Sequence, residues 1–136
     1  MTGKGLIRRE IEQPKFARSG GASTTQMITP ETGAKEILNG FTNIPPGGGI
    51  ALHFHNCEES VLIVSGDAIV EIDDTEQQAS APDVVWVDAG VHHRFRNASD
   101  TEWLRIFWTY ASADATRTFV ETGEERRVAV EHDTLV

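Results

Sequence analysis

Residues 47–66, Gly47 to Gly66, read GGGIALHFHNCEESVLIVSG, and they set two imidazoles and a carboxylate within reach of one point. Side chains alternate faces along a β-strand, so His53 and His55, with only Phe54 between them, project the same way about 7 Å apart. Two imidazoles at that spacing can converge on one metal ion. Glu59 cannot join them from the same strand, because four extended residues would carry it roughly 13 Å past His55. The chain must therefore turn at Asn56-Cys57-Glu58. The run Glu59-Ser60-Val61-Leu62-Ile63-Val64 that follows has the β-branched content of a returning strand. An antiparallel partner is expected to bring Glu59 back beside the histidines, with Gly66-Asp67 as the next turn.

A distant segment, Asp88-Ala89-Gly90-Val91-His92-His93-Arg94-Phe95-Arg96-Asn97, is a Gly-centred turn followed by alternating residues, and it offers a third imidazole. Together the two stretches resemble the paired motifs of the cupin superfamily. The first motif, G-x5-H-x-H-x3-E-x6-G, is matched in full at Gly47, His53, His55, Glu59 and Gly66. The second, G-x5-P-x-G-x2-H-x3-N, is matched at Gly90, His93 and Asn97, while Pro82 stands where its first Gly is expected and Asp88 where its Pro is. Those departures touch the turn and leave the ligand in place. The resemblance covers roughly residues 35 to 111. It implies an all-β fold, a single antiparallel β-barrel of the jelly-roll (double-stranded β-helix) kind. It also implies a metal held, residue by residue, by His53, His55, Glu59 and His93.

The chain's 136 residues suit one domain. A segment over 1–33 with few periodic apolar positions reads as an N-terminal arm, and 34–136 as the barrel, its core motifs lying within 47–97. By analogy with relatives, the arm is either exchanged with a second subunit, which makes a homodimer, or a loose tail. Twelve basic against 21 acidic residues, a net charge of −9, argue against nucleic acid and anionic membranes as partners. No apolar run approaches the ~20 residues of a membrane span or the core of a signal peptide, so a cytoplasmic protein is expected. The single Cys57 permits no internal disulfide.

Turn residues punctuate the remainder. Strands are expected over 35–44, interrupted at Asn39-Gly40, then over 50–55, 67–72, 84–87, 93–96 and 103–110, with a final hairpin of 117–121 and 127–132 around Thr122-Gly123. Residues 73–82 read as a polar loop, and no amphipathic helix stands out.

Three imidazoles and one carboxylate suit Fe(II), Mn(II), Ni(II), Cu(II) or Zn(II), since imidazole is accepted by all of them. His92 should point away from His93 by alternation. Glu58 is a weaker candidate than Glu59 by spacing, and His132 lies apart from both motifs. Cys57 reads as a small packed residue. Parity with the ligands marks Ala51, Val61, Ile63, Val91 and Phe95 as pocket candidates. On 103–110 one face carries Leu104, Ile106, Trp108 and Tyr110, the other Trp103, Arg105, Phe107 and Thr109. The inward face decides whether Arg105 or Tyr110 serves the pocket.

The expected function is a metal-dependent enzyme on a small organic molecule, favouring dioxygenase-type oxidation of an apolar or aromatic enol-like substrate. The metal would act as a Lewis acid, and Glu59 is a possible base. A non-redox isomerase, lyase or decarboxylase, or a non-catalytic barrel holding a metal and a small ligand, are the alternatives.

Overall fold

In the computed structural model, which describes residues 3–130 and 134–135, thirteen strands build two antiparallel sheets. In chain order they are β1 (Phe16–Ala17), β2 (Ser23–Gln26), β3 (Leu38–Ile44), β4 (His53–His55), β5 (Glu59–Ser65), β6 (Asp67–Ile72) and β7 (Thr75–Ser80). Then come β8 (Val84–Val87), β9 (His93–Asn97), β10 (Leu104–Tyr110), β11 (Thr116–Phe119), β12 (Glu125–Arg127) and β13 (Thr134–Leu135). One sheet runs β13-β1-β2-β3-β10-β5-β8, the other β12-β11-β4-β9-β6-β7.

Alternation of buried with more exposed positions along β3, β4, β9 and β10 turns one side of each strand inward. Apolar residues of both sheets meet there: Val61, Ile63, Leu104 and Ile106 from the first, Ala68, Val70 and Phe95 from the second. This is the all-β jelly-roll architecture expected. Among the described residues no helix is long and apolar enough to cross a membrane.

Several elements depart from expectation. Strand β3 runs unbroken through Asn39-Gly40, because Gly40 is where the Trp108 ring lies against the backbone; a Cβ there would come within 2.7 Å of that ring. Residues 75–80 form a strand rather than a loop, paired with β6 through a turn at Asp73 and Asp74, both at positive φ. Its sequence, TEQQAS, conceals this because it is an edge strand exposed along most of its length. Within the first 33 residues, β1 and β2 join the sheet through β3 of the same chain. The last hairpin is shorter than expected, β11 with β12, and His132 lies outside the described residues.

The connection after β4 differs in kind. Strand β5 does not pair with β4; it lies in the opposite sheet, between β10 and β8. Asn56-Cys57-Glu58 therefore carries the chain from one sheet to the other, and Glu59 returns to the histidines across the core. At the far end of β5, Gly66 (φ 94°) passes the chain back, its Cα so close to the Trp103 carbonyl that a Cβ would sit 2.7 Å from it.

Candidate metal centre

His53 and His55 stand two residues apart on β4, and His93 lies directly opposite His53 on β9. All three are buried, their ring centroids 4.4 to 5.1 Å apart. Each ring gives its Nδ1 to a backbone carbonyl: His53 to Ala51 at 2.6 Å, His55 to Thr116 at 2.9 Å and His93 to Val91 at 2.9 Å. A carbonyl only accepts, so each Nδ1 must carry the hydrogen and each neutral ring presents a bare Nε2. Backbone contacts thus set the tautomer a metal ligand needs.

Glu59 enters from the facing sheet, its Oε1 2.9 Å from His93 Nε2 and 3.5 Å from His55 Nε2. The shorter contact joins two acceptors, so a proton or a cation has to lie between them. The longer one is beyond a well-formed hydrogen bond, and His55 Nε2 is buried with no hydrogen-bond partner. An orphaned buried lone pair is costly unless something electrophilic is bound to it. Burial by itself would raise the Glu59 carboxyl, but the His55 and His93 imidazoles beside it outweigh that and hold it well below the usual carboxylate range. His53 is held well below the ordinary imidazole value, first by burial and then by its closeness to His93, Arg117 and His55, beside which a proton on His53 is disfavoured. Bare imidazoles and an ionised carboxylate are the donor set of a divalent transition metal, and the three histidines, with ligand atoms within 4.8 Å of one another, can hold one.

The other candidates fall where strand parity and sheet assignment put them. His92 turns outward and stacks on Phe54 at 5.1 Å. Glu58 is outside the cluster, accepting from Trp86 Nε1 at 2.8 Å. Cys57 packs against the core, and burial, reinforced by the Glu59 and Glu58 charges against a hydrogen bond with Ala111, raises its thiol above the ordinary range. Asn97 is structural: its Nδ2 reaches the carbonyls of Ile44, Pro45 and Glu102 and so ties β9 to the chain ends around it.

A cavity of about 60 Å³ lies beside His53 and Glu59. Ala51, Phe95 and Tyr110 are on its wall. Val61 and Ile63 are fully buried in the core, off that wall, and Val91 serves through its carbonyl. On β10 the face with Leu104, Ile106, Trp108 and Tyr110 is the inward one. Arg105 consequently lies outside the cavity, ion-paired to Glu10 at 2.6 Å with its guanidinium over Phe41. Sequence reasoning did not anticipate Arg18, Thr24, Thr42, Ile50, Arg117 and Phe119 on the wall. Arg117 sits opposite His55 in the β11–β4 register, a pairing no local pattern announces.

Comparison with known proteins agrees with this geometry. The family model described as "Cupin domain" matches residues 40–110. The chain is 32% identical over 92 residues to "Protein SchB" of Streptomyces halstedii, covering 66% of this chain and 67% of that protein. It is 34% identical over 101 residues to "Polyketide synthase CurC" of Streptomyces cyaneus, covering 73% of this chain and 64% of that one. The chain thus spans about two thirds of the length of these curated relatives. Among solved structures, a Bacillus subtilis oxalate decarboxylase studied for its Mn(II) centres superposes with a TM-score of 0.73 at 21% identity, over 88% of this chain and 35% of that one. Motif, donor cluster, two-sheet architecture and family match all lead to one conclusion: this chain belongs to the cupin family.

Proposed function

We propose that the chain is a metal-dependent enzyme acting on a small, enolisable substrate of apolar or aromatic character. The observation that carries this is the placement of His53 and Glu59 in the wall of a cavity otherwise faced largely by Ile50, Phe95, Ile106, Trp108, Tyr110 and Phe119. Held by His53, His55, His93 and Glu59, a divalent ion would supply Lewis acidity toward carbonyl or enolate oxygens. Mn(II) in the oxalate decarboxylase is one precedent within the fold, and the polyketide synthase name of a relative suits a substrate rich in 1,3-dicarbonyl units.

The protein's own groups do the positioning. Phe95, Trp108 and Phe119 flank a flat ring and exclude water from it. Backbone carbonyls at Ala51, Thr116 and Val91 keep the imidazoles from turning. Glu59, stabilised as the carboxylate, is an anionic ligand before it is a proton acceptor.

Dioxygenase-type oxidation is the first form of this reading, because the apolar part of the cavity wall suits a hydrophobic enolate. Non-redox isomerisation, decarboxylation or bond cleavage is the second, with the oxalate decarboxylase as a precedent within the fold. Oxygen uptake with β-diketones, catechols and flavonol-like compounds after Fe(II) loading separates them. Uptake that disappears in His53→Ala is the expected result. Substrate consumption without oxygen uptake would establish the second form. Tight ligand retention without turnover in every metal form would overturn the enzyme reading in favour of a binding barrel.

A further inference from the structure

The wall of the cavity beside His53 carries two threonines from neighbouring strands, Thr24 on β2 and Thr42 on β3, which lie opposite each other in the β2–β3 register. Both are buried, 3% and 6% exposed. A buried hydroxyl proton without an acceptor is costly, so each hydrogen of the pair has to be placed. Trp108 Nε1 can only donate, and it gives its hydrogen to Thr42 Oγ1 at 2.8 Å. Arg18 Nε likewise donates to Thr24 Oγ1, at 3.3 Å. The two hydroxyls then share one hydrogen at 3.1 Å.

Two protons belong to the pair and one is used between them. If Thr42 donates to Thr24, the Thr24 proton is left over; if Thr24 donates, the Thr42 proton is. Among the described residues neither hydroxyl has a further acceptor. One hydrogen thus remains to be donated whichever way the bond runs, and on a cavity wall its acceptor comes from whatever fills the cavity. Water can take it. A ligand that displaces the water keeps the bond only if it brings an oxygen of its own.

The pair also stands apart from the histidines. From Thr42 the inward face of β10 continues through Trp108 to Tyr110 and on to His55, with successive ring centroids 5.1 and 4.5 Å apart. Two rings therefore separate this donor from the histidine cluster along one wall. Thr42 and Trp108 lie within the family-matched residues 40–110 and Thr24 before them, so the N-terminal segment completes the arrangement.

We propose that the Thr24–Thr42 pair is a one-proton donor that recognises a second, neutral oxygen of the substrate, remote from the enolisable group facing the histidines. This rests on the function proposed above and narrows it to aryl substrates with a carbonyl, phenol or ether oxygen on the far side of the ring. Trp108 and Arg18 are positioning residues here: each fills a lone pair of one hydroxyl and so directs the protons elsewhere.

The test is calorimetric binding of para-methoxybenzoylacetone and para-ethylbenzoylacetone, and of their meta isomers, to the metal-loaded protein. Within each pair the diketone and the shape are shared, and an ether oxygen replaces a methylene. In at least one pair the methoxy compound is expected to bind about fivefold more tightly, the ratio one neutral hydrogen bond supplies. The double variant Thr24→Val with Thr42→Val should bring that ratio close to one, and one of the single Val variants should do the same, marking the hydroxyl in contact. Thr24→Ser with Thr42→Ser, which keeps both hydroxyls, should retain the ratio, and Thr109→Val, on the outward face of β10, should leave it intact. Equal binding within both pairs, or a ratio that survives the double Val variant, overturns the inference while the diketone-binding function stands. Binding of none of the four compounds to a fully metallated protein overturns both. If the double variant does not fold, the single Val variants decide in its place, and a ratio unmoved in each overturns the inference.

Discussion

His55 shows how a single side chain reports its ligand. Its Nδ1 is committed to the Thr116 carbonyl, and its Nε2 is buried without a hydrogen-bond partner. A cation on that nitrogen removes the cost of desolvating it, so metal binding should stabilise the fold. At a free ion concentration 100 times the dissociation constant, linkage sets the gain at about 2.7 kcal/mol. Denaturant unfolding with Mn(II) or Zn(II), against a chelated control, should show that gain. In His55→Ala it should shrink to a fraction, with metal content falling in parallel. An unchanged gain in the variant would remove His55 from the ligand set. Cys57 shows the converse: next to the site in sequence, it is packed, and its thiol is held neutral by burial.

At the scale of elements, the centre exists because strands change sheets at two short connections. Asn56-Cys57-Glu58 sends β5 across the core to face β4, and Gly66 turns the chain back into β6. Gly66 meets two constraints at once, a positive φ and contact with the Trp103 carbonyl, whereas Gly47 has a positive φ and open space around it. Gly66→Ala should therefore lower stability by about 2–3 kcal/mol and Gly47→Ala by about 1, read from urea midpoints at constant slope. Equal losses would show that the carbonyl contact is relieved by a small backbone shift. The same switching explains why alternation placed His53 and His55 together correctly yet misassigned the partner of their strand. Period two reports which face a residue takes, and the sheet a strand joins is decided by contacts far along the chain.

Over the whole molecule, the first sheet ends at β8, an edge strand with Val84 and Trp86 65% and 60% exposed. Unpaired strand edges and exposed apolar side chains favour pairing with another chain. We propose on this ground that two copies of the chain associate through this edge. Light scattering should then give twice the 15.0 kDa of one chain, and Val84→Lys should return it to the monomer mass. A monomer at all concentrations would set the dimer aside. The sequence alone determined the all-β class, the three histidines that can hold a metal and the apolar character of β5 and β10. These follow from residue type and local spacing, which act over a few positions. Only the tertiary structure decided that Glu59 comes from the facing sheet, that Arg105 lies outside, and that Arg18 and Arg117 share a cavity with His53. Those facts depend on pairings between strands distant in the chain, where burial of the common core selects one register and no short stretch carries the information.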